Sequence, residues 1–289
     1  MITIARLGRR GRMGNQLYQY AFLRAASLKS GHELRIPPAC FQWSGPHPSP
    51  KFNALSGFRL ECGLLRPGDS FPNLCEPNEL DGVRLELLNS PDGTDFRGWF
   101  QERLYFEWCA DEVRREFRFI PEIEDRAREF MDRVRTDAGG RPVVSLNVRR
   151  GDFLELQHQY RVMRLDEVQA AMAEFPGAVF VIGSDDMDWC RRRLAGPDVC
   201  YTPEDCAWTG MAISGLCDHN IISASTFAWW GAWLGYTPAK RVLYPYPWHT
   251  DPVLQLATSP ERQHPPGWEP QPSDRDAWRR RAPAKTAAL

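Results

Sequence analysis

Two adjacent arginines are the residues of this sequence best suited to bind an anion. Arg149 and Arg150 directly follow the apolar run 143–148, and Asp152 comes two residues later. A guanidinium group can donate two parallel hydrogen bonds to a phosphate and stays charged at any physiological pH. A surface ion pair between Arg150 and Asp152, with Arg149 in solvent, accounts for the same residues equally well. The local sequence alone leaves both interpretations open.

Two other polar segments also follow apolar runs. Ser184-Asp185-Asp186 comes after the run 178–183, and Ser225-Thr226 precedes an apolar helix that starts near Phe227. Hydroxyl groups and free N–H groups at a helix N-terminus bind anions, and the same hydroxyls can cap the helix. The two roles can coexist, so this second segment favours the phosphate interpretation of the arginine pair.

Two further groups of residues have competing interpretations. Asp185 and Asp186 could ligate a metal ion, but no third acidic or histidine ligand has a suitable spacing, so we favour a helix N-cap with acidic residues in the first turn. Trp229, Trp230 and Trp233 form an aromatic face that could stack on a sugar. We favour burial of these indoles between helix and sheet.

The elements that must position these residues follow from the hydrophobic pattern. Short apolar runs alternate with helical segments after residue 142, at 143–148, 178–183, 219–223 and 241–244. This alternation predicts a parallel, doubly wound sheet. Ligands of such sheets bind beyond the carboxyl ends of the strands. The three polar segments are therefore expected to face one crevice.

The first part of the chain predicts a second α/β domain. A strand at 2–6 runs into a glycine-rich turn at 8–14, and a helix that ends at Gly31 follows. Segment 37–91 has weak periodicity, a helix is expected over 111–135 with a break near Pro121, and 137–142 is the expected hinge. We predict an N-terminal domain at 1–138, a second α/β domain at 139–258 and a poorly ordered tail at 259–289.

The composition excludes several classes of function. The 36 basic and 37 acidic residues leave a net charge of -1, so no broad positive field attracts nucleic acid. No apolar stretch approaches the roughly 18 residues of a membrane span, and residues 1–6 do not look like a signal peptide. The 8 cysteines are scattered without a zinc-binding pattern. We expect reduced thiols in a cytoplasmic protein.

Four segments, in this order, resemble the α-1,2-fucosyltransferases, which belong to a wider group with the α-1,6- and protein O-fucosyltransferases. The resemblance extends over most of the chain, although 32–142 contributes almost nothing. The segments that match the family's motifs are Gly11-Arg-Met-Gly-Asn-Gln-Leu-Tyr-Gln-Tyr-Ala21, Arg149-Arg-Gly-Asp152, Ser184-Asp-Asp-Met-Asp-Trp-Cys190 and Ile221-Ile-Ser-Ala-Ser-Thr-Phe-Ala-Trp-Trp-Gly-Ala-Trp-Leu234.

The resemblance implies a fold, a reaction and partners. The fold is an α/β fold of GT-B type, with two Rossmann-like, doubly wound domains facing a cleft. The domain at 1–138 is then the N-terminal, acceptor-side domain, and the domain at 139–258 is the C-terminal, nucleotide-sugar-binding domain. The reaction is inverting transfer of L-fucose from GDP-fucose to the 2-hydroxyl of a galactoside in a surface glycan, with no metal ion and no cofactor. A lipid-linked acceptor would bring the protein to the inner face of the cytoplasmic membrane, where the basic run 279–281 is a weak electrostatic aid.

The resemblance also implies roles for particular residues. Arg149 and Arg150 are expected to bind the donor diphosphate, and Arg149 to stabilise the negative charge that develops there. Asn15 and Gly14 are expected at the donor from the other domain, and Asp152 is expected to orient the arginines. The remaining residues expected at the donor are Asn147, Asp185, Ser225, Thr226 and Phe227.

Two departures from the family pattern leave the donor nucleotide open. Asn147 stands in place of the motif histidine, which contacts guanine in relatives, and Gly210 in place of an aspartate that also meets the base. Ala224 and Thr226 also replace the family's usual asparagine and serine. Asparagine can still hydrogen-bond a purine edge. A different nucleotide-sugar donor, or a catalytically silent protein that binds a glycan or nucleotide, therefore remains an alternative to the fucosyltransferase.

Overall fold

The computed structural model of this protein describes residues 1–42, 45 and 53–280. The chain divides into two compact units, Met1–Glu124 with Asp205–Trp208, and Asp125–Glu204 with Thr209–Leu289. Each unit contains its own sheet, and every strand pair within both sheets is parallel. In the described part of the chain, no helix is both long and apolar enough to cross a membrane.

The first unit is built on a sheet with the strand order β3-β2-β1-β5-β4. Its strands are β1 (Ile2–Thr3), β2 (Leu34–Ile36), β3 (Gly63–Leu64), β4 (Asn73–Cys75) and β5 (Thr94–Phe96). Its helices are α1 (Met13–Ser30), α2 (Ala110–Glu116) and the start of α3 (Pro121–Ala138). The described residues of segment 37–91, which has weak periodicity, contribute two short strands and several 3-10 turns.

Helix α1 is the main packing element of the first unit. It ends where the sequence predicts, because Gly31 adopts a left-handed conformation with φ 75° and donates its N–H to Ser27 O. Its buried face includes Phe22, which stacks on Phe100 with a ring-centroid distance of 3.8 Å. The predicted break between the two following helices is confirmed, since α3 begins at Pro121.

The second unit has a six-stranded sheet with the order β11-β10-β9-β6-β7-β8. Its strands are β6 (Val143–Val148), β7 (Val179–Ser184), β8 (Val199–Tyr201), β9 (His219–Ile221), β10 (Val242–Tyr244) and β11 (Glu269–Pro270). Its helices are α4 (Leu165–Ala173), α5 (Met187–Arg193), α6 (Ala207–Leu216), α7 (Thr226–Leu234), α8 (Pro252–Ala257), α9 (Pro260–Gln263) and α10 (Arg275–Arg279). The first two residues of α6 belong to the first unit, and the helix belongs to the second unit from Thr209 onward. The predicted doubly wound α/β pattern is confirmed.

The order of this sheet brings the three polar segments together. Strand β6 lies between β9 and β7, with Leu146 opposite Ile221 and Val148 opposite Ser184. Parallel strands end at the same edge, so the segments that follow β6, β7 and β9 emerge side by side. Ser184 fixes one junction by donating its hydroxyl to Val148 O at 2.7 Å.

The tryptophans of α7 are buried, as predicted. Trp229 and Trp230 have no exposed surface and Trp233 keeps 3%. Trp229 donates its indole N–H to Gln263 O at 3.0 Å and packs on Trp268. Both partners come from the segment after residue 258, so this segment covers the aromatic face of α7.

The prediction of a poorly ordered tail from residue 259 is wrong for 259–280, and 281–289 lie outside the described residues. Strand β11 pairs with β10, and Gln271 is fully buried. Arg161 donates to Asp274 at 2.6 Å and to Glu167 at 2.9 Å, with all three side chains nearly inaccessible. Burial of Trp268 and this ion cluster order a segment whose high proline content alone indicates disorder.

The boundaries of the two units agree only in part with the predicted domain boundaries. The division falls inside α3, between Glu124 and Asp125, and Asp205–Trp208 belongs to the first unit. The expected limit lies after residue 138, within a turn that begins at the end of this helix. A periodic pattern shows where a helix ends, but not which unit its apolar face packs against. The acceptor and donor roles of the two units stay predictions.

Replacing Arg161 with Leu tests whether its buried ion pairs stabilise the packing of segment 259–280. The change leaves the Asp274 carboxylate buried without its cation, although burial already raises the pKa of Asp274 above its usual 3.8. Glu167 keeps one ion pair, with the exposed Arg164. We expect the free energy of unfolding at pH 7 to fall by about 3–5 kcal/mol. Denaturant titration measures it. Arg133→Leu, which removes an exposed arginine paired with Glu129, should cost under about 1 kcal/mol, and an equal loss in both variants would contradict the assignment.

Candidate functional site

Arg149 is held between two carboxylates at the end of β6. Its guanidinium group pairs with Asp152 and, through Nη1, with Asp185 Oδ2 at 2.5 Å. The guanidinium carbon also lies 4.8 Å from the ring centroid of Phe153. The ion-pair alternative assigned Asp152 to Arg150, whereas the structure places it on Arg149. These contacts set the orientation of a guanidinium group whose side chain keeps 16% of its surface exposed.

Arg150 is fixed by different partners. Its backbone N–H donates to Asp185 Oδ1 at 2.8 Å, its Nε donates to Asp186 Oδ2 at 3.2 Å, and its guanidinium carbon lies 4.2 Å from the ring centroid of Trp189. Within the described chain, neither Nη atom of Arg150 has a hydrogen-bond partner in the protein. Four N–H groups of this side chain therefore remain for an anion.

Asp185 and Asp186 divide two tasks that the sequence could not separate. Asp186 is the N-cap of α5 and accepts from the Trp189 N–H at 3.2 Å, which confirms the predicted cap. Asp185 instead contacts both arginine residues across the gap from β7 to β6. Within residues 1–42, 45 and 53–280, no group of three or more His, Cys, Asp or Glu side chains is arranged to hold a metal ion.

Gly151 is the reason why Asp185 can approach so closely. A Cβ atom built on Gly151 would lie 2.2 Å from Asp185 Oδ2, well inside the limit for non-bonded atoms. The backbone of Gly151 has no left-handed φ, so the requirement for glycine here is steric. The Arg149-Arg150-Gly151 sequence thus combines two cations with the one residue that lets a carboxylate from the next strand hold them.

The loop after β9 completes this edge of the sheet. Ser223, which is fully buried, donates its hydroxyl to Asn147 Oδ1 at 2.5 Å. Ser225 is the N-cap residue of α7, but its side chain makes no capping hydrogen bond with the described helix. Thr226 and Phe227 form the first turn of α7 and are partly exposed. The predicted donor residues of the second unit are therefore brought to one edge of its sheet.

The predicted residues of the first unit lie at the start of α1. Asn15 accepts at Oδ1 from Gln101 Nε2 at 3.0 Å, and Gly14 is buried in the first turn. Gly11 has φ 80°, and a Cβ atom there would lie 2.7 Å from both Asn15 and Trp99. This glycine therefore permits a left-handed turn and close packing on α1. Contact of Asn15 or Gly14 with a donor bound to the second unit stays a prediction.

Three contacts that orient site residues are not predicted by the sequence. Phe153 and Trp189 support the two guanidinium groups, and Ser223 orients the Asn147 amide. A signal existed for the aromatic residues, since each occupies a turn of helix just after a charged strand end. Nothing in the spacing links Ser223 to Asn147, because their contact depends on β9 being the neighbour of β6.

Chemically, this edge is equipped to stabilise a diphosphate. Two guanidinium groups, preorganised by carboxylates and aromatic rings, lie beside a helix N-terminus on the adjacent loop. Preorganised cations stabilise negative charge that develops on a departing phosphate without reorganising during the reaction. The carboxylates contact only some of the N–H groups of each guanidinium group, which is enough to orient it. The Nη donors of Arg150 remain for the ligand.

Comparisons with known proteins agree with this description. The family model "Glycosyl transferase family 11" matches residues 88–268. An α-1,2-colitosyltransferase of Escherichia coli is 26% identical over 282 residues, which cover 86% of this chain and 92% of that protein. Galactoside α-(1,2)-fucosyltransferase 1 of Saimiri sciureus is 28% identical over 241 residues, 78% of this chain. The match spans only 63% of that relative's length.

Among solved structures, fucosyltransferase NodZ from Bradyrhizobium has a TM-score of 0.50 and 16% identity, with 80% of this chain and 91% of that chain covered. This likeness concerns the fold, which is the GT-B fold of glycosyltransferases. The fold and the arginine edge together define a nucleotide-sugar-dependent glycosyltransferase. More specifically, the match over most of the chain shows that it belongs to glycosyl transferase family 11.

Replacing Arg149 with Ala tests the oriented guanidinium group. We expect kcat/KM for the donor to fall by a factor of about 100 or more, the scale for loss of one charge-stabilising donor. Steady-state kinetics at varied donor concentration measure it. Arg192→Ala, which removes an exposed arginine of the same unit, should leave kcat/KM within about twofold of wild type. Near-normal kinetics of Arg149→Ala would refute the role.

Replacing Gly151 with Ala tests the position of Asp185 without removing a charge. The new methyl group would displace the Asp185 carboxylate from both arginine residues. Loss of one charge-assisted contact should weaken binding of the donor about 10- to 100-fold, measured by calorimetry with the nucleoside diphosphate.

The matched control for Gly151→Ala is Gly196→Ala, where a Cβ atom meets only Val199 at 4.0 Å. It should bind the nucleoside diphosphate as wild type does. Thermal unfolding separates a local from a global effect, and a large loss of melting temperature in Gly151→Ala with unchanged affinity would contradict the positioning argument.

Proposed function

We propose that this enzyme transfers L-fucose from GDP-fucose to the 2-hydroxyl of a galactoside in a glycan, with inversion at the anomeric carbon and without a metal ion. The observation that carries the proposal is the arginine pair at the end of β6, oriented by Asp185 in a chain of glycosyl transferase family 11. The relative from Saimiri sciureus is named as a galactoside α-(1,2)-fucosyltransferase.

The proposed reaction needs charge stabilisation at one place above all. When the glycosidic bond of a nucleotide sugar breaks, the diphosphate leaves with negative charge on its oxygen atoms. Arg150 offers the N–H groups of its two Nη atoms, and Arg149 adds a second cation in a fixed orientation. The acceptor oxygen bonds to the anomeric carbon from the opposite face as the bond to the diphosphate breaks, which inverts the configuration. The hydroxyl proton is released to solvent alongside GDP.

The Asn147 amide supports guanine as the base. Its Oδ1 already accepts from Ser223, and its Nδ2 remains as a hydrogen-bond donor for a ligand. An amide nitrogen donates hydrogen bonds, and guanine offers two acceptors on one edge, O6 and N7. Adenine carries an amino donor where guanine has O6, so a donor amide at this position favours guanine.

A closely related sugar is the second candidate. The relative from Escherichia coli that matches over 92% of its length is named as an α-1,2-colitosyltransferase. Colitose differs from L-fucose by the absence of the 3-hydroxyl group. A site that hydrogen-bonds the 3-hydroxyl would reject the deoxy sugar, since its own polar groups would be left unpaired. Donor competition therefore separates the two candidates.

The cellular location belongs to the same proposal. We propose a cytoplasmic site of action, which the eight free cysteines support. A lipid-linked acceptor would place the enzyme at the inner face of the membrane. Sedimentation of the protein with vesicles that carry such a lipid, compared with plain vesicles, tests this part.

The deciding experiment combines donor and acceptor in the presence of EDTA. We expect the enzyme to transfer fucose from GDP-fucose to a β-galactoside and to form an α-1,2 linkage, which NMR of the product identifies. Calorimetry should show tighter binding of GDP than of UDP or ADP, by about tenfold or more for each lost base hydrogen bond to a polar site. Parallel reactions with GDP-colitose measure the sugar preference.

Each result of this experiment points to one function. A higher kcat/KM with GDP-colitose than with GDP-fucose would identify colitose as the preferred donor sugar. Tighter binding of UDP or ADP would change the donor nucleotide. Nucleotide binding without transfer to any acceptor of a broad panel would favour a silent binding protein. Loss of transfer in EDTA, restored by Mg²⁺, would contradict the metal-independent reaction.

A further inference from the structure

A cationic loop in the first unit carries arginines that have no assigned role in the proposed donor site. The turn after β1 contains four exposed arginines within seven residues, and we call this segment, residues 6–12, the arginine loop. Its arginines are Arg6, Arg9, Arg10 and Arg12. Across the described ranges of the chain, no acidic side chain pairs with Arg6, Arg9 or Arg10. Three guanidinium groups without an acidic partner in the described structure raise the local positive potential.

The arginine loop lies where a parallel sheet binds its ligands. It follows the carboxyl end of β1, which pairs with β5, and the segment after β5 brings Trp99 beneath Arg10, with 4.9 Å between the guanidinium carbon and the ring centroid. Helix α1 begins directly after the loop and has no acidic residue in its first turn. The positive end of an 18-residue helix therefore adds to the arginine charges without compensation.

The backbone around the arginine loop is fixed by close packing. Gly11 lies against Trp99 and Asn15, and Gln19 donates to Gly98 O at 2.9 Å. Phe100 adopts a left-handed conformation with φ 51°, which is rare for a residue with a side chain. Strain of this kind persists where surrounding contacts hold it and is concentrated at binding sites. The loop thus presents its charges from a preorganised support.

We propose that the arginine loop binds an anionic group of the acceptor glycan, a carboxylate or a phosphate carried by a sugar near the galactoside. This inference rests on the proposed glycosyl transfer and narrows its acceptor to acidic glycans. Guanidinium forks form bidentate hydrogen bonds with either anion. The half-buried Trp99 offers an apolar ring for the face of the sugar that carries it.

The same charges would be of little use to a neutral glycan. Hydroxyl groups of neutral sugars need donors and acceptors in comparable number, and the arginine loop offers side-chain donors alone. The donor diphosphate already has a cation pair in Arg149 and Arg150. An anion on the acceptor is therefore the ligand class that this loop fits.

The test compares neutral and acidic acceptors with wild type and Arg9→Gln/Arg10→Gln. The acceptors are one β-galactoside in three forms: neutral, extended by a uronic acid, and extended by a sugar phosphate. We expect wild type to prefer at least one acidic form by about tenfold or more in kcat/KM, since each charge-assisted contact is worth that much. The double variant should lose this preference and retain its kcat on the neutral form.

Matched variants isolate the cause. Arg192→Gln/Arg193→Gln removes two adjacent, exposed arginines elsewhere and should keep the preference. Arg9→Lys/Arg10→Lys keeps the charge but loses the planar fork, so it should retain part of the preference. At saturating donor, raising the salt concentration should lower the preference of wild type for the acidic acceptor and change the rate on the neutral form little. Which of the two acidic acceptors wild type prefers shows whether the arginine loop binds a carboxylate or a phosphate.

Several results would overturn the inference while leaving the proposed transferase intact. One is equal use of the three acceptors by wild type. Another is weaker GDP binding by Arg9→Gln/Arg10→Gln, which would assign the loop to the donor. Loss of binding to phosphatidylglycerol vesicles in this variant, with unchanged acceptor preference, would assign it to a membrane surface.

The binding assay stands without catalysis. If wild type transfers no sugar at all, the proposed function fails, and titration of the acidic oligosaccharides into the two proteins still measures the arginine loop. Binding of an acidic oligosaccharide by wild type that the double variant loses would support the site, and equal binding by both would refute it.

Discussion

The carboxylate of Asp185 is the contact on which the functional edge depends. It reaches from the end of β7 to the end of β6, where it pairs with the Arg149 side chain and accepts from the Arg150 backbone N–H. It can do so because Gly151 has no Cβ atom in the way. One side chain thus joins two strand ends, orients the Arg149 guanidinium group and holds the backbone of Arg150, whose side chain is fixed by Asp186 and Trp189.

The rest of the second unit supports this edge from behind. The register of β9, β6 and β7 sets the three strand ends side by side, and Ser223 ties the first two together through Asn147. The tryptophans of α7 fill the space between helix and sheet, and the segment 259–280 closes over them. Preorganisation of the arginines is therefore a property of the whole unit, since the site residues come from loops that carry little rigidity of their own.

The two units use the same structural rule for different charges. In each, a parallel sheet presents arginines beyond the carboxyl end of a central strand, near the start of a helix. In the second unit, carboxylates orient the cations, whereas in the first unit Arg6, Arg9 and Arg10 have no acidic partner in the described structure. Paired cations suit a ligand that must be positioned and released, and unpaired cations suit recognition of a diffuse anionic surface through the local field.

The sequence by itself determined the alternating α/β pattern, the end of α1 at Gly31, a helix N-cap in the segment 184–186 and the presence of two adjacent cations at a strand end. These features are local, because they depend on hydrophobic period, backbone conformation and side-chain charge. Only the tertiary structure decided that Asp185 holds both arginines, that Ser223 orients Asn147, and that 259–280 is ordered. Each depends on which strands are neighbours or on which segment covers an apolar face. Such contacts join residues far apart in the chain, so no periodic pattern or motif spacing in the sequence predicts them.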